Sequence, residues 1–166
     1  MANINFDQGI TINLVNAGAV AGTTSTFTST VTTAGLINAA FVTTLAPQTN
    51  AASPVLDWAT GLAFNTLLPN QTCALVFGQT AAGVLKLCQG PIIPTVVGVT
   101  TTVGAFLVAP QFPGLPDNFL VLAYTIVRTA PSAANWLPGA GSWTASGVSA
   151  TAFQNIGQLP NRPRIV

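Results

Sequence analysis

Two apolar runs that flank a short polar loop constrain the fold of this chain more than any other feature. Residues 73–77 (CALVF) and residues 84–88 (VLKLC) lie on either side of residues 78–83 (GQTAAG). Short β-prone runs around a glycine-containing connection indicate a β-hairpin. Both runs are apolar at nearly every position, which is typical of strands that are covered on both faces. Residues 72–91 therefore predict the centre of a packed sheet.

The composition favours an all-β fold that carries little surface charge. Only 4% of the 166 residues are charged, whereas about 25% is usual. The abundant Thr and Val suit strands, and the Gly and Pro suit turns. Glu is absent and Lys occurs once, so an exposed amphipathic helix is difficult to build. A chain with so little charge is a poor candidate for a freely soluble monomer.

The charge pattern argues against nucleic acid and membrane as partners. The net charge is +1, and both partners require clustered Lys and Arg. Residues 92–109 are uncharged, but they contain Pro94 and lack basic anchors, so they are a weak candidate for a membrane span. The first ten residues lack the basic and apolar regions of a signal peptide. We therefore expect assembly without export.

The rest of the chain predicts a series of short strands. Residues 118–129 are apolar on both faces and indicate a second central strand, while residues 55–66 fit a short helix or a strand. Further strands are predicted at residues 9–16, 23–33, 36–45, 95–102, 104–109 and 142–153. About eight to ten strands at spacings of roughly 10–15 residues suit a β-sandwich or jelly roll. We expect one such domain at residues 1–158 and an extended arm at residues 159–166.

The two cysteines allow two interpretations. If Phe77 pairs with Val84, the same register sets Cys73 opposite Cys88, close to the distance that a disulfide requires. Because no export signal indicates an oxidising compartment, we favour two small buried hydrophobic side chains over a cross-strand pair. A shift of the loop by one residue would also separate the two thiols.

No set of residues in the sequence suits catalysis or metal binding. His is absent, so neither a Ser-His-Asp nor a Cys-His arrangement can form. The acids are Asp7, Asp57 and Asp117, which are far apart and outside any calcium-loop pattern. Two cysteines alone cannot complete a four-ligand zinc site. We expect no enzyme activity, no cofactor and no metal.

Candidate partner contacts lie in the C-terminal arm and in one loop. Proline residues stiffen the arm and reduce the entropy that it would lose on docking, although a disordered terminus is the alternative. Lys86 and Arg128 belong to central strands, so we interpret them as structural side chains, with a subunit contact as the alternative. The predicted contacts are Arg162, Arg164, Ile165, Val166 and Trp136.

Five short motifs follow one another in the second half of the chain. They are residues 87–90 (LCQG), residues 112–116 (FPGLP), an apolar strand at 119–127, residues 136–139 (WLPG) and residues 159–163 (LPNRP). In this order they resemble the capsid decoration, cement and head-fibre proteins of tailed phages. The resemblance covers residues 72–166, and the first 70 residues show no motif of this family.

The resemblance implies a non-enzymatic virion structural protein. Such a protein would be assembled in the host cytoplasm and located on the capsid surface. It would bind the major capsid protein and form a homo-oligomer such as a trimer. One alternative is a tail or fibre component that binds host glycans through exposed Trp58, Trp136 or Trp143. A second alternative is a membrane-active protein that uses residues 92–109.

Overall fold

The computed structural model describes residues 10–160, and this part of the chain is all-β. No helix occurs within it, which confirms the predicted fold class. The strands are β1 (Ile12–Asn13), β2 (Val20–Ala21), β3 (Phe27–Thr28), β4 (Thr33–Ile37), β5 (Ala40–Leu45), β6 (Gln71–Gln79), β7 (Leu85–Gln89), β8 (Ile93–Pro94), β9 (Leu120–Thr129), β10 (Val148–Ala150) and β11 (Gln154–Asn155).

The strands form three antiparallel sheets. The largest has six strands in the order β10-β9-β6-β7, with β8 also pairing with β6 and β11 also pairing with β9. A three-stranded sheet has the order β1-β4-β5, and β2 pairs with β3. The division into a domain at 1–158 and an arm stays a prediction, as does the sandwich or jelly-roll arrangement.

Strands β6 and β9 form the core of the large sheet because they are apolar on both faces. Residues 72–79 and 120–127 are all buried, which confirms the predicted two-sided burial of these strands. Successive side chains point to opposite faces of a strand, so Phe77 packs in one cluster and Val76 in another. Phe27 of β3 stacks on Phe77 with ring centroids 4.7 Å apart.

The proline-rich segment at residues 110–116 lies against the other face of the large sheet. Phe112 of this segment contacts Tyr124 of β9 edge to face, with ring centroids 4.9 Å apart. Leu115 packs against the same buried cluster. The segment therefore contributes side chains to the core although it forms no strand.

The predicted register of the β6–β7 hairpin is wrong. Phe77 lies opposite Leu87 and not opposite Val84. Strand β6 runs two residues beyond its predicted end because β9 pairs alongside it as far as Gln79, whose side-chain amide donates to Ala46 O at 3.0 Å. The hairpin loop therefore starts at Thr80 and not at residue 78.

This register separates the two cysteines, so the proposed cross-strand pair is not found. Cys73 lies opposite Val127 of β9, and Cys88 lies opposite Val76. The shift from the predicted register also moves the thiols to different faces of the sheet, where they join different buried clusters. Both cysteines are free and buried, as the favoured interpretation required.

Residues 36–45, predicted as one strand, belong to a hairpin of β4 and β5. Its two-residue turn consists of Asn38 and Ala39, which have φ values of 51° and 62°. Positive φ at both central residues fits the type I′ turn, whose twist matches that of the flanking strands. Residues 55–66 adopt neither predicted form but make a turn that is closed by a bridge between Leu56 and Ala63.

The turn geometry predicts that Ala39→Gly stabilises the protein. Ala pays a steric penalty of about 1–2 kcal/mol in the left-handed region, and glycine avoids it at a smaller entropic cost. We expect the free energy of unfolding to rise by about 0.5–1 kcal/mol in urea titrations. The matched control is Ala52→Gly, at an exposed position without positive φ, and it should lower stability. A loss of stability in Ala39→Gly would contradict the turn assignment.

Candidate interaction surface

The structure describes one of the five predicted partner contacts. Arg162, Arg164, Ile165 and Val166 lie outside the described residues, so their contacts stay a prediction. The fifth, Trp136, lies in the core with 2% of its surface exposed.

The prediction that Trp136 contacts a partner is wrong because its indole is buried against the loop at residues 136–143. The ring centroid lies 5.5 Å from that of Trp143, and Nε1 donates to Ser142 O at 3.0 Å. The backbone of Trp136 exchanges hydrogen bonds with Leu67 at 2.8 and 2.9 Å. Gly141 packs directly on the indole, leaving no room for a side chain there.

None of the three tryptophans offers an open ring face to a sugar. Trp143 is buried, and its Nε1 donates to Thr26 O at 2.8 Å. Trp58 is half-buried, and Lys86 Nζ lies 3.9 Å from its ring centroid. A cation over an aromatic face is attracted by the ring quadrupole, so Lys86 covers Trp58. This arrangement counts against the glycan-binding alternative and gives Lys86 a structural role.

A groove of about 640 Å³ opens beside the β6–β7 hairpin. The side chains of Asp57 and Gln89 are hydrogen-bonded to other residues that line the groove. Its charged residue, Asp57, accepts hydrogen bonds from Ala59 N and Thr60 Oγ1, both at 3.1 Å. The side-chain amide of Gln89 accepts from Asn65 N and donates to Asn65 O, both at 2.8 Å. These groups stabilise the turn and the loop that form the groove.

The two described aspartates do not share a cleft. Asp57 lines the groove, whereas Asp117 lines a separate cavity of about 320 Å³ beside Phe119. Paired carboxylates for acid–base chemistry would have to meet across one site. Within residues 10–160, no three His, Cys, Asp or Glu side chains come together as a metal site would require.

Burial makes the two cysteines poor nucleophiles. Loss of solvation raises the pKa of Cys73 to about 12, against an ordinary value of 9.0. The pKa of Cys88 is also raised to about 12, mainly by burial and further by the negative charge of Asp57. Since the thiolate is the reactive form, both side chains act as hydrophobic core residues near neutral pH.

Residues 95–109 carry five of the exposed large apolar side chains of the described chain. They make an irregular loop in which Val96 N donates to Ala105 O at 2.9 Å and Thr102 N donates to Val99 O at 2.8 Å. Val97 is 72% exposed and Val99 is 75% exposed. The other exposed apolar side chains of this loop are Val96, Leu107 and Val108. We call residues 95–109 the valine loop.

Polar contacts fix the valine loop to the body of the protein. Gly98 N donates to Asn70 Oδ1 at 3.2 Å. At the tip, Thr100 O accepts from both the backbone N and the Oγ of Ser132, at 3.1 and 2.8 Å. The loop is therefore attached to the body of the protein at its tip as well as at its base.

Arg128 of β9 is the main side chain that joins the valine loop to the central sheet. Its Nη1 donates to Gly104 O at 3.2 Å, and its guanidinium lies 4.7 Å from the ring centroid of Phe106. Partial burial lowers the pKa of Arg128. An arginine nevertheless stays charged in proteins. Its predicted structural role agrees with these contacts.

The sequence does not predict that the valine loop is an exposed surface. Its pattern favours strands at residues 95–102 and 104–109, but the structure has only two isolated bridges there, Thr95 with Phe106 and Val99 with Thr102. Pro94, Gly98 and Gly104 interrupt the uncharged run and could have signalled a loop. Gly104 packs on the backbone of Val96, a contact that no larger residue could make.

Comparison of the chain with protein-family models, with curated proteins and with solved structures gives no match. Residues 10–160 contain no helical segment with the length and hydropathy that crossing a bilayer requires. The functional proposal therefore depends on the chemistry of the surfaces themselves.

The raised pKa values predict a loss of stability in alkaline solution. Both thiols stay protonated in the folded state up to a pKa of about 12, whereas the unfolded chain releases these protons near 9.0. Their contribution is therefore complete below the unfolded pKa and declines as the pH rises towards the folded pKa. The expected loss is about 1.4 kcal/mol per pH unit for each thiol.

Urea unfolding on both sides of the ordinary thiol pKa measures this slope. The control is the double variant Cys73→Ala/Cys88→Ala, which lacks both titrating groups and should show a shallower decline. If the two proteins lose stability equally with pH, the thiols are not the cause.

Proposed function

We propose that this chain is a non-enzymatic virion structural protein that decorates and cements a capsid. The observation that carries the proposal is the valine loop, an uncharged apolar surface held in place on a rigid all-β body. Large exposed apolar patches mark interaction sites in soluble proteins. The partner that we propose is the major capsid protein, at the outer surface of the virion after assembly in the host cytoplasm.

Apolar burial would supply the binding energy at such a contact. Fully burying one Val or Leu side chain is worth about 1.5–3 kcal/mol. The valine loop offers five large apolar side chains, each already partly ordered by the contacts of the loop. Because the loop is fixed in advance, binding orders little additional chain. A modest contact repeated over many copies would strengthen a shell across its subunit seams.

The fold gives less support to the two alternatives. A glycan-binding fibre component would need an open aromatic platform, but Trp136 and Trp143 are buried and Lys86 covers Trp58. The membrane-active alternative depended on residues 92–109, which form β8 and the valine loop. The first alternative predicts binding to a glycan and the second predicts binding to a lipid bilayer. A direct binding assay distinguishes either partner from a protein shell.

A charge in the valine loop should weaken binding to the shell. Val99→Asp places a carboxylate where an apolar contact would be buried, and an unpaired buried charge is costly. We expect at least about a tenfold loss of affinity, or about 1.4 kcal/mol. The measurement is co-sedimentation of the purified protein with capsids that lack it, together with the temperature at which the capsids release DNA.

The matched control is Val84→Asp, which alters a valine that is 51% exposed in the β6–β7 loop, outside the proposed contact. This variant should bind as the unaltered protein does. Equal affinity of both variants would remove the valine loop from the proposed contact. If the unaltered protein neither binds the capsids nor raises their temperature of DNA release, the cement function itself is wrong.

A further inference from the structure

The sheet β1-β4-β5 is apolar on the face that points away from the core. Ile12, Leu36 and Phe41 lie opposite one another in register, so they form one row on one face. Phe41 is 63% exposed, and Ile10 and Leu14, two residues on either side of Ile12, are 64% and 56% exposed. Within the strand predicted at residues 9–16, β1 turns Asn13 inward and Ile10 and Leu14 outward, with Ile12 half-buried between them.

The opposite face of this sheet is occupied. Ile37 and Leu45 pack against Leu120 of β9 in a small buried cluster. The sheet is therefore anchored to the body on one face, and only its outer face and its edges remain to be assigned.

Strand β5 is the open edge of this sheet within the described part of the chain. The other edge, β1, is already used, since Asn13 N donates to Gly157 O at 2.9 Å. In a hairpin with a two-residue turn, the residues that flank the turn, here Ile37 and Ala40, form a hydrogen-bonded pair. Bonding then alternates as far as Val42, which lies opposite Gly35, so the N–H and C=O groups of Phe41 point away from β4 towards the open edge.

The edge of β5 carries only one of the usual protections against pairing, a bulge in which Thr43 and Thr44 face Ala34 of β4. Natural proteins guard exposed edges with bulges, Lys, Pro, inward-pointing charges or very short strands. Strand β5 has six residues, AFVTTL, without charge or proline. No residue between Asp7 and Asp57 is charged. An uncharged edge that is guarded by one bulge alone remains open to pairing in the working state of the protein.

We propose that β5 is a dimer interface, in which two copies of this chain pair β5 with β5 in antiparallel orientation. The result would be one continuous sheet of six strands in the order β1-β4-β5-β5-β4-β1. A two-fold axis perpendicular to the sheet keeps the outer row of each copy on the same side. The two apolar rows would then form a single larger face.

A second copy is the occupant that the surface fits best. An antiparallel edge is complementary to itself, so one strand satisfies both sides of a two-fold contact. The face and the edge are uncharged, and a copy of the same chain brings no charge to be buried unpaired. Because Gly157 uses the edge of β1, β5 cannot pair head to tail with β1 of the next copy. This geometry favours a two-fold dimer over the trimer that the family resemblance implies.

Two variants test the interface without touching the core. Phe41→Pro removes the N–H that points to the open edge and leaves the pairing of Ala40 and Val42 with β4 in place, a position where edge strands tolerate proline. Phe41→Lys places a charge on the exposed apolar row. We expect the unaltered protein to sediment as a dimer that dissociates on dilution. Each variant should raise the dissociation constant at least about tenfold while retaining the far-ultraviolet circular dichroism and melting temperature of a folded β protein.

The control is Val99→Asp, which should remain dimeric although it loses capsid binding. A dimer defect in Phe41→Lys that leaves the affinity of a single valine loop for the capsid unchanged would show that dimerisation and capsid binding use separate surfaces. If Phe41→Pro does not fold, Phe41→Lys decides the outcome, because the exposed side chain at this position does not support the core.

Three results would overturn the proposal. The first is an unaltered protein that stays monomeric over a hundredfold range of concentration. The second is a Phe41→Lys variant that dimerises as well as the unaltered protein. The third is slow hydrogen exchange of the Phe41 amide in a monomer, which would mean that another part of the same chain covers the edge. None of these results bears on the cement function, which the capsid assay tests separately.

Discussion

The pairing of β6 with β9 is the contact on which the rest of this structure depends. It runs from Thr72 opposite Arg128 to Gln79 opposite Leu120. Since both strands are buried on both faces, no neighbouring layer can be removed without exposing them. At the two ends of β9, Arg128 holds the valine loop and Leu120 holds the β4–β5 hairpin. These residues are eight positions apart, or about 27 Å along an extended strand, so one rigid element spaces the two candidate surfaces.

Shortage of charge explains why these surfaces are apolar. The two described cations lie over aromatic rings, Lys86 over Trp58 and Arg128 over Phe106. The carboxylate of Asp57 binds the turn that contains it. Three of the four charged side chains in residues 10–160 therefore serve internal contacts, and the fourth, Asp117, is exposed. The rest of the described surface is largely Thr, Asn, Gln and exposed Val and Leu, which suits a protein working within an assembly.

The sequence allowed the centre of the fold to be predicted but not its registers or its surface. Continuous apolar runs identified β6 and β9, because only strands buried on both faces tolerate them. The position of Cys88 opposite Val76 depended on where β6 ends, and that is set by β9, more than 40 residues away in sequence. The burial of Trp136 depended on Gly141 and Leu67, which are brought together only by the fold. On β1, alternation indicated two different faces, but it could not tell which one meets the core. The candidate surfaces were missed for the same reason, since exposure of Val99 or Phe41 is a tertiary property.

The two proposed surfaces would reinforce each other because they are attached to the same strand. A β5–β5 dimer carries two valine loops, each held at its tip by Ser132 and at its base by Arg128. Once one loop has bound a shell, the second binds from a high effective concentration, provided that the spacing of the loops matches the spacing of sites on the shell. If the valine loops were attached flexibly, they could bind sites at many different spacings on a shell. If β9 is rigid, the loops can bind only sites whose spacing matches their own. Rigidity of the β6–β9 pair would therefore determine which repeating shell the protein can cement, even if each single contact is weak.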